Sequence, residues 1–256
     1  KVNGATAQWT VERAYDYFYS KYNRHGIDNN YQDVRVELNP TDDYNNNAGW
    51  SPGASDYDMI IIGHTYPGNQ YLAALDIIGH EFTHGVVASE ANLIYEREPG
   101  ALNESFADIF GAMVEKHVES SSWDWIHGSE VFDSTSLFLR SLRHPHDYLQ
   151  PSTYLTDFYW HDLTDSRDNY GVHTNSGVQN HWFYLLSDGG SQNGVTVSAI
   201  GTDKAAKIAY YNLCFYLTAQ SGYPAARNGS ISAATYLYGE CSNECQQVRN
   251  AWAAVG

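Results

Sequence analysis

Positive charge is scarce in this chain, and that scarcity excludes one large class of partners. The 256 residues include 14 lysines and arginines against 30 aspartates and glutamates, for a formal net charge of −16. Binding to nucleic acid requires a basic surface that neutralises phosphates. We therefore expect no nucleic-acid partner. An acidic surface instead favours solubility and suits hard cations such as calcium.

Long apolar runs are also missing. No run of about eighteen or more apolar residues occurs, so the sequence predicts no membrane-spanning helix. The first residues contain no apolar segment of the signal-peptide kind, which predicts that none of these residues belongs to a signal peptide. Hydrophobic residues make up 43%, the composition of a globular chain with a substantial core. Plentiful Asn, Ser, Thr and Gly beside scarce lysine favour a secreted protein.

Cysteine is rare, with three residues in the chain. Cys214 lies in an apolar stretch with helical spacing and is expected to be a small buried side chain. Cys241 and Cys245 are four residues apart, and a short disulfide between them is the favoured interpretation, with two free thiols as the alternative. Thiols alone do not complete a four-ligand zinc set here, which argues against a cysteine-only zinc site.

One short motif indicates the chemistry. His80-Glu81-Phe82-Thr83-His84 has the pattern H-E-x-x-H, and the apolar residues around it recur at helical spacing. Residues four apart on a helix lie on one face, so the two imidazoles can converge on one cation. Glu81 is placed to take a proton from a water on that metal. This arrangement is typical of zinc hydrolases.

A third zinc ligand is expected from the next helix, predicted over Leu102–Glu119. Glu104 lies twenty residues after His84, and Pro99-Gly100 is expected to break the chain and reverse its direction. A catalytic zinc usually has three protein ligands and one open position. Asp108, one turn beyond Glu104, is a candidate to accept the second N–H of a ligand histidine. The alternative for both acids is an ordinary solvated helix face.

The hydrophobic pattern predicts an α+β protein of two lobes. Residues 1–74 are expected to form a β-rich N-terminal lobe, residues 75–91 a central helix, and residues 92–256 a helical C-terminal lobe. Strands are predicted over Asp33–Leu38 and Met59–His64, with loop over residues 44–58. Further helices are predicted over Val11–Asn23, Leu72–Ala91, Val178–Ser187, Asp203–Thr218, Ser230–Leu237 and Ser242–Ala254.

Several segments together resemble the thermolysin-like metalloendopeptidases. Beside the H-E-x-x-H motif, the resemblance rests on GALNESFADIFG (residues 100–111), LRSL (residues 139–142) and DNYGVHTNSGV (residues 168–178), in the same order along nearly the whole chain. It implies two lobes with the His80 helix at the floor of the cleft between them. It also implies a secreted, monomeric zinc endopeptidase with a preference for bulky hydrophobic residues just after the scissile bond.

The resemblance implies a role for each site residue. The zinc ligands would be His80, His84 and Glu104, with Glu81 as the general base. Tyr95 and His173 would stabilise the tetrahedral oxyanion, and Asp168 would orient His173. Substrate would be bound by Asn47, Ala48, Arg140, Leu139, Val131 and Ile77. The partners implied are protein and peptide substrates and the chain's own pro-segment.

The resemblance also implies structural calcium. Asp76, Glu115 and Asp124 match the ligands of one family calcium site, and Ser129 replaces an acid, so we expect one calcium ion. Gly49 follows Ala48 where relatives carry an aromatic residue, which predicts altered binding before the scissile bond. Mature relatives have more β structure before the point where this chain starts, so we expect either a truncated or processed chain or a small N-terminal lobe.

Two other functions remain open at this stage. One is a catalytically retired member of the fold that binds proteins or glycans through its many aromatic residues. The other is a zinc hydrolase of a non-peptide bond. Peptidase activity is favoured over the first by an intact set of seven site residues: His80, Glu81, His84, Glu104, Tyr95, Arg140 and His173. It is favoured over the second by the peptide-binding Asn47 and Arg140.

Overall fold

The computed structural model describes residues 4–39, 44–53, 57–66, 68, 70–136 and 138–256. Its helices are α1 (Gly4–Tyr22), α2 (Leu75–Ser89), α3 (Arg97–Val118), α4 (Asp168–Asn175), α5 (Gly177–Asp188), α6 (Thr202–Phe215), α7 (Tyr223–Tyr238) and α8 (Asn243–Val255), with a 3₁₀ helix over Pro145–Tyr148. Its strands are β1 (Asp33–Leu38), β2 (Ala48–Pro52), β3 (Tyr57–Ile62), β4 (Ile126–His127), β5 (Arg140–Ser141), β6 (Gly190–Gln192) and β7 (Val195–Val197). This content confirms the predicted α+β class.

The chain forms two compact units. The first comprises Lys1–Ser89 with Phe110–Leu139, and the second comprises Glu90–Ile109 with Arg140–Gly256. Among the residues described, no helix has both the length and the apolar character that crossing a bilayer requires.

A three-stranded sheet forms part of the first unit. The strand order is β1-β3-β2, with β1 parallel and β2 antiparallel to the central β3. The side chains of β3 alternate between half-buried and buried, as expected for a strand with one face on a core. The predicted loop over residues 44–58 is wrong where β2 lies and at Tyr57 and Asp58, where β3 begins, and its residues 54–56 lie outside the described residues. This strand contains Gly49 and Pro52, residues of low β-propensity, so its pairing with β3 rather than its composition defines it.

Aromatic side chains join the helices of the first unit. Phe18 of α1 lies 5.5 Å from Phe82 of α2 and 5.4 Å from Phe110 of α3, measured between ring centroids, and all three side chains are fully buried. Such ring pairs add about 0.5–1.5 kcal/mol each beyond their buried area. This cluster therefore anchors the helix that carries the H-E-x-x-H motif.

Glycines allow α2 and α3 to approach closely. A Cβ atom on Gly111 would lie 2.4 Å from the carbonyl oxygen of Asp76, and one on Gly79 would lie 3.0 Å from the Cα atom of Gly111. No real Cβ atom tolerates the first of these distances. The two helix backbones therefore meet at a spacing that a larger residue at 111 excludes.

Helices α5 to α8 fill the second unit. Trp182 of α5 stacks on Trp252 of α8 with ring centroids 5.0 Å apart, and the Trp252 indole donates a hydrogen bond to Ser230 Oγ at 2.7 Å. The predicted helices in this part are confirmed to within a few residues at most of their ends. The exception is α7, which begins at Tyr223 and not at Ser230, since Pro224 is accommodated in its first turn.

Two local expectations fail. Pro99-Gly100 does not break the chain, because α3 begins at Arg97 and both residues lie in its first turns, where proline is tolerated. The favoured disulfide is also wrong, since Cys241 and Cys245 are free thiols. Cys245 is buried at the start of α8, where its N–H is capped by Ser242 Oγ at 3.1 Å, whereas Cys241 is exposed.

Candidate active site

Two imidazoles on α2 lie side by side. The Nε2 atoms of His80 and His84 are 2.9 Å apart, and their ring centroids are 4.5 Å apart. Two nitrogen ligands of a tetrahedral zinc ion, each about 2.0–2.1 Å from the metal, are separated by about 3.3 Å. The two nitrogens therefore lie at close to the spacing that one shared cation requires.

Glu81 follows His80 in the sequence, and its carboxylate forms no hydrogen bond with another described residue. Its side chain is 6% exposed, and no group of the described residues forms a hydrogen bond with its carboxylate. Burying a carboxylate without a hydrogen-bond partner costs free energy, so such a group is expected mainly where it takes part in the chemistry of a site. Glu81 thus has the environment expected of a general base.

The second unit brings together four of the predicted site residues. The Tyr95 hydroxyl donates to Glu104 Oε1, and it also lies 3.2 Å from His173 Nε2. His173 Nε2 is 3.4 Å from Glu104 Oε1, while His173 Nδ1 is 2.5 Å from Asp168 Oδ1. Glu104 is fully buried. Tyr95 and Glu104 come from one part of the sequence and Asp168 and His173 from another, with a separation of 78 residues between Tyr95 and His173, so tertiary structure assembles this cluster.

A run of left-handed residues shapes the entry to α4. The φ angles are 52° at Asp168, 46° at Asn169, 66° at Tyr170 and 84° at Gly171. Tyrosine rarely adopts this conformation, which costs of order 1–3 kcal/mol and is found mainly at functional sites. The turn folds Asp168 back so that its Oδ2 accepts the His173 N–H at 3.0 Å. The strained backbone thereby fixes the carboxylate against the imidazole.

The electrostatics of this cluster favour a charged His173. Burial lowers the pKa of His173, but the Glu104 charge and the Asp168 hydrogen bond outweigh it and bring the pKa to about 9. Burial raises the pKa of Asp168, but its hydrogen bond to His173 and the charge of that ring bring it below its ordinary value. Both ring nitrogens are then donors, one toward Asp168 and one toward the Tyr95 and Glu104 oxygens.

Asp108 accepts three hydrogen-bond contacts from Arg140, one of them from Nε to Oδ1 at 3.1 Å. Arg140 Nε donates to Asp108 Oδ2 at 2.9 Å and Nη2 donates to Oδ1 at 2.6 Å. Burial lowers the pKa of Arg140, but the charge and hydrogen bonds of Asp108 outweigh it and raise the pKa above its ordinary value. Asn180, which sequence reasoning missed, donates to Asp108 Oδ2 at 2.8 Å. The role predicted for Asp108 toward a ligand histidine stays a prediction.

Acidic side chains crowd one end of α2 in the first unit. Asp76 Oδ2 accepts the Gly128 N–H at 2.5 Å and Asp124 Oδ1 accepts the Ile126 N–H at 2.7 Å. Burial, only partly offset by hydrogen bonds from the N–H groups of Gly128 and Ile77, raises the pKa of Asp76 to about 6. Burial, reinforced by the charge of Asp76, raises the pKa of Glu115 to about 9. The negative charges here repel each other and would be relieved by a cation.

Sequence reasoning missed one acid of this cluster. Burial raises the pKa of Glu130, and the charges of Asp76, Glu119 and Asp124 raise it further. Its position six residues after Asp124 was a signal in the sequence. A hard-oxygen donor set of this kind suits calcium.

The predicted substrate-binding residues of the first unit form two sets, one at β2 and one predicted to line an apolar pocket. Ala48 opens β2, which pairs with β3 and with no other described strand, and Asn47 is exposed just before it. The Asn47 carbonyl accepts the Gly63 N–H at 3.1 Å. Ile77 and Leu139 are buried and Val131 is half-buried, all in the first unit. The apolar pocket assigned to these three residues stays a prediction.

Comparisons with known proteins cover the whole chain. A family model described as the catalytic domain of thermolysin metallopeptidase matches residues 1–88, and one described as its alpha-helical domain matches residues 91–256. The chain is 39% identical over 251 residues to a bacillolysin of Brevibacillus brevis, a match that spans 96% of this chain and 44% of that protein. It is 37% identical over 244 residues to a thermolysin of Alicyclobacillus acidocaldarius, spanning 94% of this chain and 43% of that protein.

A solved structure has a similar fold. The precursor of protealysin, a metalloproteinase from Serratia proteamaculans, superposes with a TM-score of 0.79 at 25% identity, covering 100% of this chain and 80% of its own. The chain spans less than half the length of the curated relatives it matches. With both family models matched in order, the chain belongs to the thermolysin metallopeptidase family.

Proposed function

We propose that this chain is the catalytic part of a zinc-dependent endopeptidase that hydrolyses internal peptide bonds. The observation that carries the proposal is the His80–His84 nitrogen pair, 2.9 Å apart, with the uncommitted carboxylate of Glu81 beside it. The names of the relatives, bacillolysin and thermolysin, agree with this activity.

The zinc ligands in this proposal are His80, His84 and Glu104. Two neutral imidazoles and one carboxylate form a donor set known from catalytic zinc sites that keep a fourth position open. Glu104 lies two helical turns before Gly111, so it shares the face on which Gly111 approaches α2. When bound, zinc supplies Lewis acidity toward the scissile carbonyl and lowers the pKa of water.

The surrounding side chains handle protons and charge. Glu81 accepts a proton from the attacking water and delivers it to the leaving amine. Tyr95 and a protonated His173 donate hydrogen bonds to the developing oxyanion, and each such donor is worth about 3–4 kcal/mol in related systems. Asp168 holds Nδ1 of His173 at 2.5 Å and thereby orients the other nitrogen.

Substrate binding uses an edge strand and one guanidinium. An extended peptide adds as a further strand at the outer edge of β2, beside Asn47 and Ala48. Arg140, oriented by Asp108, binds a substrate carbonyl. An apolar pocket takes a bulky hydrophobic side chain just after the scissile bond, and its proposed lining residues are Leu139, Val131 and Ile77.

A single calcium ion completes the proposal. Asp76, Glu115 and Asp124 are its side-chain ligands, supported by the raised pKa values of the first two. Carboxylate oxygens are the ligands that calcium prefers. The role is structural, because Asp76 also opens the helix that carries the H-E-x-x-H motif.

We also propose that the protein is secreted and is a monomer. We further propose that it binds its own pro-segment. The composition, rich in Asn, Ser, Thr and Gly and poor in lysine, supports secretion, and a solved relative is described as a precursor. Recovery from the culture medium and size-exclusion chromatography test the first two statements. Inhibition by the segment encoded upstream tests the third.

The activity is tested with the Glu81→Gln variant. Casein hydrolysis should fall by at least about 10²-fold while zinc content, measured by atomic absorption, stays at one per chain. Wild-type chain that binds zinc but cleaves no casein would support the retired binding protein instead. Hydrolysis of an ester substrate alone would support a non-peptide hydrolase. Full casein activity in the variant would contradict the mechanism.

A further inference from the structure

Phe158 is unusually exposed to solvent for a large hydrophobic residue. Its side chain is 93% exposed, more than that of any other large hydrophobic residue in the described part of the chain. It lies in the segment 149–167, which contains neither helix nor strand. Tyr236, the next most exposed at 74%, lies within α7 instead. Phe158 is therefore a bulky apolar side chain on a backbone free of secondary structure.

The backbone around Phe158 is almost free of hydrogen bonds. Within the described residues, neither the N–H nor the carbonyl of Phe158 has a protein partner, and the Asp157 N–H has none. The Asp157 carbonyl accepts one hydrogen bond, from the Trp160 N–H at 3.1 Å. A protease binds its substrate as an extended strand through backbone groups. Among the described residues, only this turn hydrogen bond engages the backbone groups of Asp157 and Phe158.

We infer that the bond between Asp157 and Phe158 is a self-cleavage site, cut by a second copy of this chain. The inference rests on the proposed endopeptidase function and its preference for bulky hydrophobic residues after the cut. Hydrolysis breaks the bond between the Asp157 carbonyl carbon and the Phe158 nitrogen. The oxygen of water completes the new Asp157 carboxylate, and a proton is transferred to the new Phe158 amine.

The Asp157 side chain restrains this segment. Its Oδ2 accepts from the Ser152 N–H at 2.9 Å and lies 2.7 Å from His146 Nε2, while its Oδ1 accepts the Tyr159 N–H at 3.0 Å. An extended conformation across the scissile bond must break most of these contacts. The contacts of Asp157 therefore oppose opening of the segment. His146 contacts the Asp157 side chain but lies outside the segment 149–167.

The test uses the Glu81→Gln chain as substrate and a trace of wild-type chain as enzyme. Mass spectrometry should find one fragment ending at Asp157 and one beginning at Phe158. In the same Glu81→Gln background, Phe158→Ser should slow this cut at least about tenfold and His146→Ala should accelerate it about tenfold, the effect of losing one strong hydrogen bond. Tyr236→Ser is the matched control and should leave the rate unchanged.

Controls separate this inference from the proposed function. Casein and a synthetic peptide spanning residues 153–162 are incubated with the same enzyme. If both are hydrolysed while the folded chain stays intact at Asp157, the inference is wrong and the endopeptidase function stands. Equal cutting of the Phe158→Ser chain, or no acceleration by His146→Ala, also overturns it. If neither casein nor peptide is hydrolysed, the proposed function itself fails.

Discussion

At the scale of single residues, Asp108 and Arg140 form a buried charged contact in the second unit. Asp108 is fully buried and the Arg140 side chain is 14% exposed, and three hydrogen-bond contacts join them. A buried charge that loses its partner is strongly destabilising, because nothing else compensates its desolvation. This contact therefore matters to stability as well as to the orientation of Arg140.

We predict that Asp108→Asn lowers the free energy of unfolding by about 3–5 kcal/mol, since it leaves the Arg140 charge uncompensated. Chemical denaturation monitored by circular dichroism measures the loss. Asp165→Asn is the matched control, because Asp165 pairs with Arg167 on the surface, where the arginine is 82% exposed. A similar loss of stability in both variants would contradict the claim that burial makes the loss of the Asp108–Arg140 pair costly.

The Asp168–His173 pair supports a second prediction at this scale. Asp168→Asn should lower kcat about 10- to 100-fold with little change in KM, because the imidazole loses the partner that orients and charges it in the transition state. Steady-state kinetics on a chromogenic peptide measure both constants. Asp162→Asn serves as the control, because Asp162 is an exposed acid in the loop before α4 and its side chain accepts, among the described residues, only from Thr164. A rise in KM alone would assign Asp168 to substrate binding.

At the scale of elements, the geometry of the proposed zinc site depends on how closely α2 and α3 approach. Gly111 lies against the carbonyl of Asp76 and the N–H of His80, at the start of the turn that carries both imidazoles. A side chain at this position must push the helices apart. The spacing of the helices is therefore coupled to the placement of the ligands.

Gly111→Ala should accordingly destabilise the chain by about 1–3 kcal/mol through overpacking and weaken zinc binding at the same time. Thermal unfolding and competition with a fluorescent zinc chelator provide the two measurements. Gly4→Ala is the control, since no atom lies within 4 Å of a Cβ built there. Unchanged zinc affinity in the Gly111 variant would show that helix spacing and ligand placement are independent.

Some of these elements could be predicted from the sequence, and others could not. Helices α2, α5 and α6 follow from apolar residues at three- and four-residue steps, because one helix face must be buried. The short strand β2 was missed, since its hydrogen bonds come from β3 and its own residues carry little strand preference. The start of α3 was misplaced, because Pro99 breaks a helix interior but is tolerated in a first turn.

At the scale of the whole molecule, the chain carries a net charge of −16, and part of that charge is buried. Asp76 and Glu115 are 2% and 3% exposed, and their pKa values rise to about 6 and about 9. Without a cation, these two groups therefore hold more protons in the folded chain than in the unfolded chain, where carboxyl groups titrate at about pH 4. Their contribution to the free energy of unfolding falls as pH rises from about 4 to about 9.

Calcium should reverse this pH dependence. We expect millimolar calcium to raise Tm, and to raise it more at about pH 8 than at about pH 5, because the cation replaces protons that the cluster has lost. Differential scanning calorimetry after chelation and restoration of zinc alone measures the effect. Magnesium is the control ion, since it demands a smaller octahedral site. An equal gain at both pH values would contradict calcium binding at these acids.

The sequence by itself determined the placement of His80 and His84, because the pitch of one helix sets the distance between residues four apart. It also determined the helical character of the second half, since apolar periodicity is local information. Tertiary structure alone decided the contacts of Asp108 with Arg140 and Asn180, 32 and 72 residues away, and the contact of Tyr95 with His173, 78 residues away. Such contacts depend on how separate elements fold together, and no local spacing encodes them.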